Sequence, residues 1–150
     1  MGLLALLTGL FGCGKSPQDE KHTLSDISAV SIACTHMDRT YGYYFRAHKD
    51  QDKWLFDADC FTHDRRVETS FENASLSDEE TDALFEILER NDVITYAENY
   101  KKPKPSPLFA LDETTYSFVL TFSDKNQSVT GDCQAELEEF FYRLAEGHNE

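Results

Sequence analysis

The stretch Tyr41-Gly42-Tyr43-Tyr44-Phe45-Arg46-Ala47-His48-Lys49-Asp50-Gln51-Asp52-Lys53-Trp54-Leu55-Phe56-Asp57-Ala58-Asp59-Cys60 decides the fold. Tyr41 to His48 is rich in aromatic side chains and has the composition of a strand. Asp50-Gln51-Asp52 reads as a turn. Trp54, Phe56, Ala58 and Cys60 then recur at period two, so they share one face of a second strand, with Asp57 and Asp59 on its wet face. Strands with so short a link run antiparallel, because a parallel pair needs a crossover of about a dozen residues or more.

Reading outward from this pair extends the pattern both ways. Ile27 to His36 alternates through Val30, Ile32 and Cys34 as another strand, linked to Tyr41 through Asp38-Arg39-Thr40. Downstream, Arg66 to Phe71 is expected as a fourth strand ending at Glu72-Asn73-Ala74, which completes an antiparallel meander. Ser77-Asp78-Glu79-Glu80 is a capping box, with Asp78 and Glu79 at the positive end of the helix dipole. Leu84, Ile87 and Leu88 supply the apolar stripe of a helix over 78–90, and Asn91 is the expected left-handed stop.

Val93 to Tyr96 is expected as a short strand, and three prolines make Lys101–Pro107 a stiff exposed loop. Tyr116, Phe118, Leu120 and Phe122 line one face of a strand over Thr114–Phe122; Ser123-Asp124-Lys125-Asn126 turns it into Gln127–Thr130. Leu137, Phe140, Phe141 and Leu144 mark a last helix over 134–146, ended by Gly147. The expected class is α+β: an antiparallel sheet of five or six strands with two helices on one face, in the order β-β-β(-β)-α-β-β-α.

The chain has 28 acidic and 14 basic residues, a formal net charge of −14, all of it beyond residue 12. That charge repels phosphate backbones, which argues against a nucleic-acid partner. It also gives no electrostatic grip on anionic lipid, so any membrane attachment must be apolar.

Met1 to Phe11 is apolar and uncharged, too short for the roughly 20 residues of a membrane span but the length of a secretory signal core. Leu10-Phe11-Gly12-Cys13 resembles the lipobox of bacterial lipoproteins. The resemblance implies that residues 1–12 are a signal peptide and that Cys13 is acylated to anchor the protein outside the cytoplasm on the bacterial cell membrane. Residues 13–25 would be a lipidated polar tether and 26–150 a single domain. Over 26–146 the order of elements is similar to that of small lipoproteins of Gram-positive bacteria, a likeness of pattern that implies no activity. The partner expected of such a molecule is a protein or other envelope component.

The same stretch also resembles a P-loop, with Gly9, Gly14, Lys15 and Ser16 in the pattern Gly-x-x-x-x-Gly-Lys-Ser, which implies nucleotide binding. The residues that follow, Ser16 to Thr23, are polar and lack the apolar stripe of the helix such a loop must open. No alternating series of strands and helices follows either. The anchor is the preferred reading.

With Cys13 acylated, Cys34, Cys60 and Cys133 remain, enough for one disulfide. Cys34–Cys60 is the expected pair, since both sit on apolar phases of strands taken as neighbours; three buried thiols is the alternative. Cys34, His36, Cys60 and His63 could be drawn as a zinc cluster, but their spacing is not that of paired zinc ligands, and no metal or cofactor is expected. Cys133 lies near a helix N-terminus, which lowers a thiol pKa, while Asp132, Glu136, Glu138 and Glu139 raise it; no histidine partner marks it as a nucleophile. The expectation is therefore a non-catalytic domain. Tyr41, Tyr43, Tyr44 and Trp54 form the candidate binding surface, against the alternative that they pack as core and cross-strand pairs.

Overall fold

A computed structural model of the chain describes residues 21–36, 42–61, 68–101 and 114–149. A single 3₁₀ turn, Leu24–Asp26, leads into β1 (Ile27–His36), β2 (Gly42–Asp50), β3 (Lys53–Phe61) and β4 (Thr69–Ser75). Helices α1 (Asp78–Arg90) and α2 (Val93–Asn99) follow, then β5 (Thr114–Phe122), β6 (Gln127–Thr130) and α3 (Ala135–Gly147). The strands make one antiparallel sheet in the order β4-β3-β2-β1-β5-β6. The α+β class and the meander are as the sequence predicts, with three helices instead of two.

The hairpin at the heart of the prediction forms with Tyr43 opposite Cys60, Phe45 opposite Ala58 and Ala47 opposite Phe56. Period two sends Tyr43, Phe45 and Ala47 to the face that Trp54, Phe56, Ala58 and Cys60 occupy, and all seven are buried. Val30, Ile32 and Cys34 of β1 and Phe118, Leu120 and Phe122 of β5 continue this layer. The helices cover it from one side. The Phe141 ring stacks on Phe56 at 5.4 Å and tilts against Phe45 at 6.2 Å, and Tyr142 meets Tyr43 and Phe45 edge-on. Trp54 packs edge-on to Phe85 of α1 at 5.3 Å, and Tyr96 of α2 lies over Phe118. Each such ring contributes roughly 1.5–3 kcal/mol by leaving water.

The capping box forms as predicted: the Glu80 N–H donates to the Ser77 hydroxyl at 3.2 Å and the Ser77 N–H to the Glu80 carboxylate at 2.7 Å. Helices α1 and α3 lie antiparallel and are tied at both ends. Arg90 and Asn91 at the end of α1 bind Glu136 in the first turn of α3, and Glu80 in the first turn of α1 faces His148, which follows α3, at 3.1 Å.

Two local expectations are corrected. Val93 to Tyr96 is the start of a helix, not a strand, because Val93, Ile94 and Ala97 reach the core together at helical spacing. Burial of that face outweighs the strand preference of Val, Ile and Thr. Asn91 does not take the left-handed conformation; its φ is −90° and Asp92 makes the reversal at φ 44°. Asn91 stays helix-like because its amide donates to the Ile87 carbonyl at 2.9 Å. Residues ahead of Asp26 also pack against the sheet. His22 stacks on Phe122 at 3.9 Å and bonds Asp124, and the Ser123 N–H donates to the Asp26 carbonyl at 2.8 Å. The fourth strand is centred later than expected, at Thr69–Ser75, and Arg66 and Val67 lie outside the described residues.

Candidate functional site

Alternation that buries one side of a sheet leaves the other side to be accounted for. Here no helix among the described residues covers it. Small side chains, Ala29, Ser31 and Ala33, run down the central strand β1, flanked on β2 by Tyr44, Arg46 and His48. The β3 row opposite consists of Leu55, Asp57, Asp59 and Phe61. Two cross-strand rows matter: Ala33–Tyr44–Asp59 and Thr35–Gly42–Phe61.

Gly42 shapes the second row. A Cβ there would stand 3.0 Å from the Cys34 carbonyl oxygen and 3.1 Å from the Phe61 ring, so the ring lies over the bare backbone of its cross-strand neighbour. Ala33, Thr35, Tyr44, Asp59 and Phe61 bound a depression of about 430 Å³ beside it. Tyr44 and Phe61 each keep 44% of their surface exposed.

The two carboxylates of this face differ. Asp57 accepts the Asn73 N–H at 2.9 Å and lies 4.0 Å from the Arg46 guanidinium. His48 Nδ1 stands 3.3 Å from Asp57, close enough to pair if protonated but outside hydrogen-bond geometry. Among the described residues the carboxylate of Asp59, directly opposite Tyr44, has no hydrogen bond or ion pair. The depression is therefore lined by two aromatic side chains and by one carboxylate with no ion pair among the described residues.

The sequence-predicted surface is divided by the sheet. Tyr43 and Trp54 face the helices and are core, whereas Tyr44 alone is on the open face; Tyr41 lies outside the described residues. Adjacent residues of a strand cannot share a face, so Tyr43 and Tyr44 were bound to separate. Phe61 and Asp59, which complete the depression, were not among the predicted binding residues, although Asp59 was placed on the wet face. The signal for them was their shared phase with Asp57 and the cross-strand position of Phe61 against a glycine.

The predicted Cys34–Cys60 disulfide is absent, and both are free thiols. Both residues pair with Tyr43, Cys34 from β1 and Cys60 from β3, so a whole strand separates them. Two strand spacings are about 9.5 Å, beyond the roughly 7 Å limit between α-carbons of a disulfide. Burial and Glu138 raise the Cys34 thiol pKa, outweighing a hydrogen bond from Tyr116. The same burial and Glu138 push Cys133 up to about 12, overriding any helix-dipole effect, so neither thiol is ionised at neutral pH.

Among the described residues no group of three or more His, Cys, Asp or Glu side chains could hold a metal ion. His63 of the imagined zinc cluster lies outside the described residues, as do Cys13 and the Gly9, Gly14, Lys15 and Ser16 pattern. No described helix is long and apolar enough to cross a membrane. Comparison of the chain with protein-family models, curated proteins and solved structures finds no significant match.

Proposed function

We propose that this protein is an exported lipoprotein, anchored to the outer side of the bacterial cell membrane by acyl chains on Cys13, whose domain is a non-catalytic binding module for an envelope component. The observation that supports this reading is the polarity of the sheet. The chain enters through His22 and Asp26 beside Phe122, Ser123 and Asp124, at the end where β1 begins. The depression lies toward the opposite end, where β1 and β3 finish and β2 starts. Ala33 lies six residue steps along β1 from Ile27, about 20 Å at roughly 3.3 Å per step. A domain tethered at the first end holds its aromatic depression away from the bilayer.

The nucleotide-loop reading finds no structural support. A P-loop operates at the edge of a parallel sheet whose strands alternate with helices, and this sheet is antiparallel throughout.

The test is the mass of the N-terminus after expression in a bacterial host, combined with detergent partition. A chain beginning at Cys13, carrying acyl mass and found in the detergent phase, is the expected result. An unprocessed aqueous chain, in a host that matures a control lipoprotein, overturns the anchor.

A further inference from the structure

We propose that the depression bounded by Ala33, Thr35, Tyr44, Asp59 and Phe61 is the seat of an arginine side chain carried by an extended segment of a partner protein. The inference rests on reading the domain as a binding module and names the chemistry that the module selects. Charge complementarity carries it. Asp59 is exposed and has no ion pair among the described residues, whereas Asp57, two residues away on the same strand, is contacted by Arg46, His48 and the Asn73 N–H. A carboxylate in a depression lined by two aromatic side chains is complementary to a group that is at once cationic and flat. Guanidinium stacks on aromatic rings and donates in the plane to a carboxylate, whereas an ammonium is a compact, strongly hydrated point charge.

The surroundings fit a peptide rather than a free small cation. Two rings on an open sheet do not enclose a ligand, so affinity must come from what the cation is attached to. Ser31 continues the floor from Ala33 along β1 with a short, part-exposed side chain against which a main chain can lie. A second copy of this chain is disfavoured as the occupant, because two molecules of net charge −14 repel.

The test is a titration of the nitrogen-15-labelled full chain, followed by amide shifts, with the peptide acetyl-Ala-Thr-Arg-Thr-Ala-amide. The control peptide carries citrulline, which keeps the planar shape and removes the charge. The proposal expects shifts confined to residues 33–35, 44 and 59–61, and binding at least about tenfold weaker for citrulline. Asp59→Asn and Tyr44→Ala, both exposed and expected to fold, should each abolish the localised shifts. Equal response to both peptides, shifts elsewhere on the domain, no shift at all, or full binding by Asp59→Asn would overturn the site. So would a response to tetramethylammonium chloride that equals or exceeds the response to the arginine peptide. The two readings fail separately. A lipid-anchored protein that ignores the peptide loses the arginine site and keeps the anchor, while an aqueous, unprocessed protein that binds it does the reverse.

Discussion

Ser77 shows how much one side chain can determine. Its hydroxyl and N–H both bond Glu80, satisfying donors that the first turn of α1 would otherwise leave bare. Ser77→Ala should cost about 1 kcal/mol, read as a lower urea midpoint with an unchanged slope, and Ser77→Thr should recover most of it. This motif was legible because it is local: four consecutive residues contain both bonds. The aromatic run was legible only as strand. Tyr43 and Tyr44 are chemically identical and adjacent, so their composition signals a binding surface equally for both. Which of them faces water is fixed by where α3 sets Tyr142, a contact with a residue about a hundred positions away. The same distance problem hid the site. The phase of Asp59 put it on the wet face, but that its carboxylate pairs with no described side chain shows only in the folded sheet.

Between elements, contacts of different kinds differ greatly in weight. Phe141 of α3 touches Phe45 and Phe56 and is fully buried, so Phe141→Ala should destabilise by about 3–5 kcal/mol through lost transfer energy and the cavity left. Arg90 and Glu136 tie the same two helices together at the surface with 57% and 43% of their side chains exposed. Arg90→Gln should therefore cost far less than Phe141→Ala. Chemical denaturation of both variants checks the ranking, and an Arg90 effect equal to that of Phe141 would show that the helix ends hold the layer together. The element order was readable from periodicity, since most strands and both long helices bury a single regular face. α2 was not. Its seven residues offer too few turns to show a period, and its Val-Ile-Thr composition favours a strand until the core claims Val93, Ile94 and Ala97. The disulfide prediction failed at this scale too, since sheet order places β2 between the two cysteines.

The whole molecule carries its stability against its own charge. With a formal net charge of −14 at pH 7, repulsion opposes the compact state. Raising NaCl from roughly 20 to 300 mM should increase the thermal midpoint at pH 7, because the Debye length falls from about 20 Å to about 6 Å. Acid acts in two stages. Initial protonation relieves repulsion, but hydrogen bonds from Thr23 hold Asp26 below the ordinary carboxylate range, and His22 and Asn126 do the same for Asp124. Arg90 and Asn91 lower Glu136, and Ser77 and His148 lower Glu80 against the opposing effect of burial. A depressed folded pKa contributes stability above the unfolded value that is lost as pH falls through the folded one. The midpoint should therefore decline below about pH 4, near the unfolded carboxylate values; a salt-insensitive midpoint at pH 7 or a steady gain down to pH 3 would contradict this balance.

The sheet's two borders have a further consequence for molecules crowded together. β6 is only four residues long, and the pairing of β4 with β3 is interrupted by a bulge beside Asn73, which has φ 60°. Neither border presents a long flat row of free amides and carbonyls, so neither is a good template for a foreign strand. Neighbours packed into a dense film can collide without knitting their sheets into a fibre.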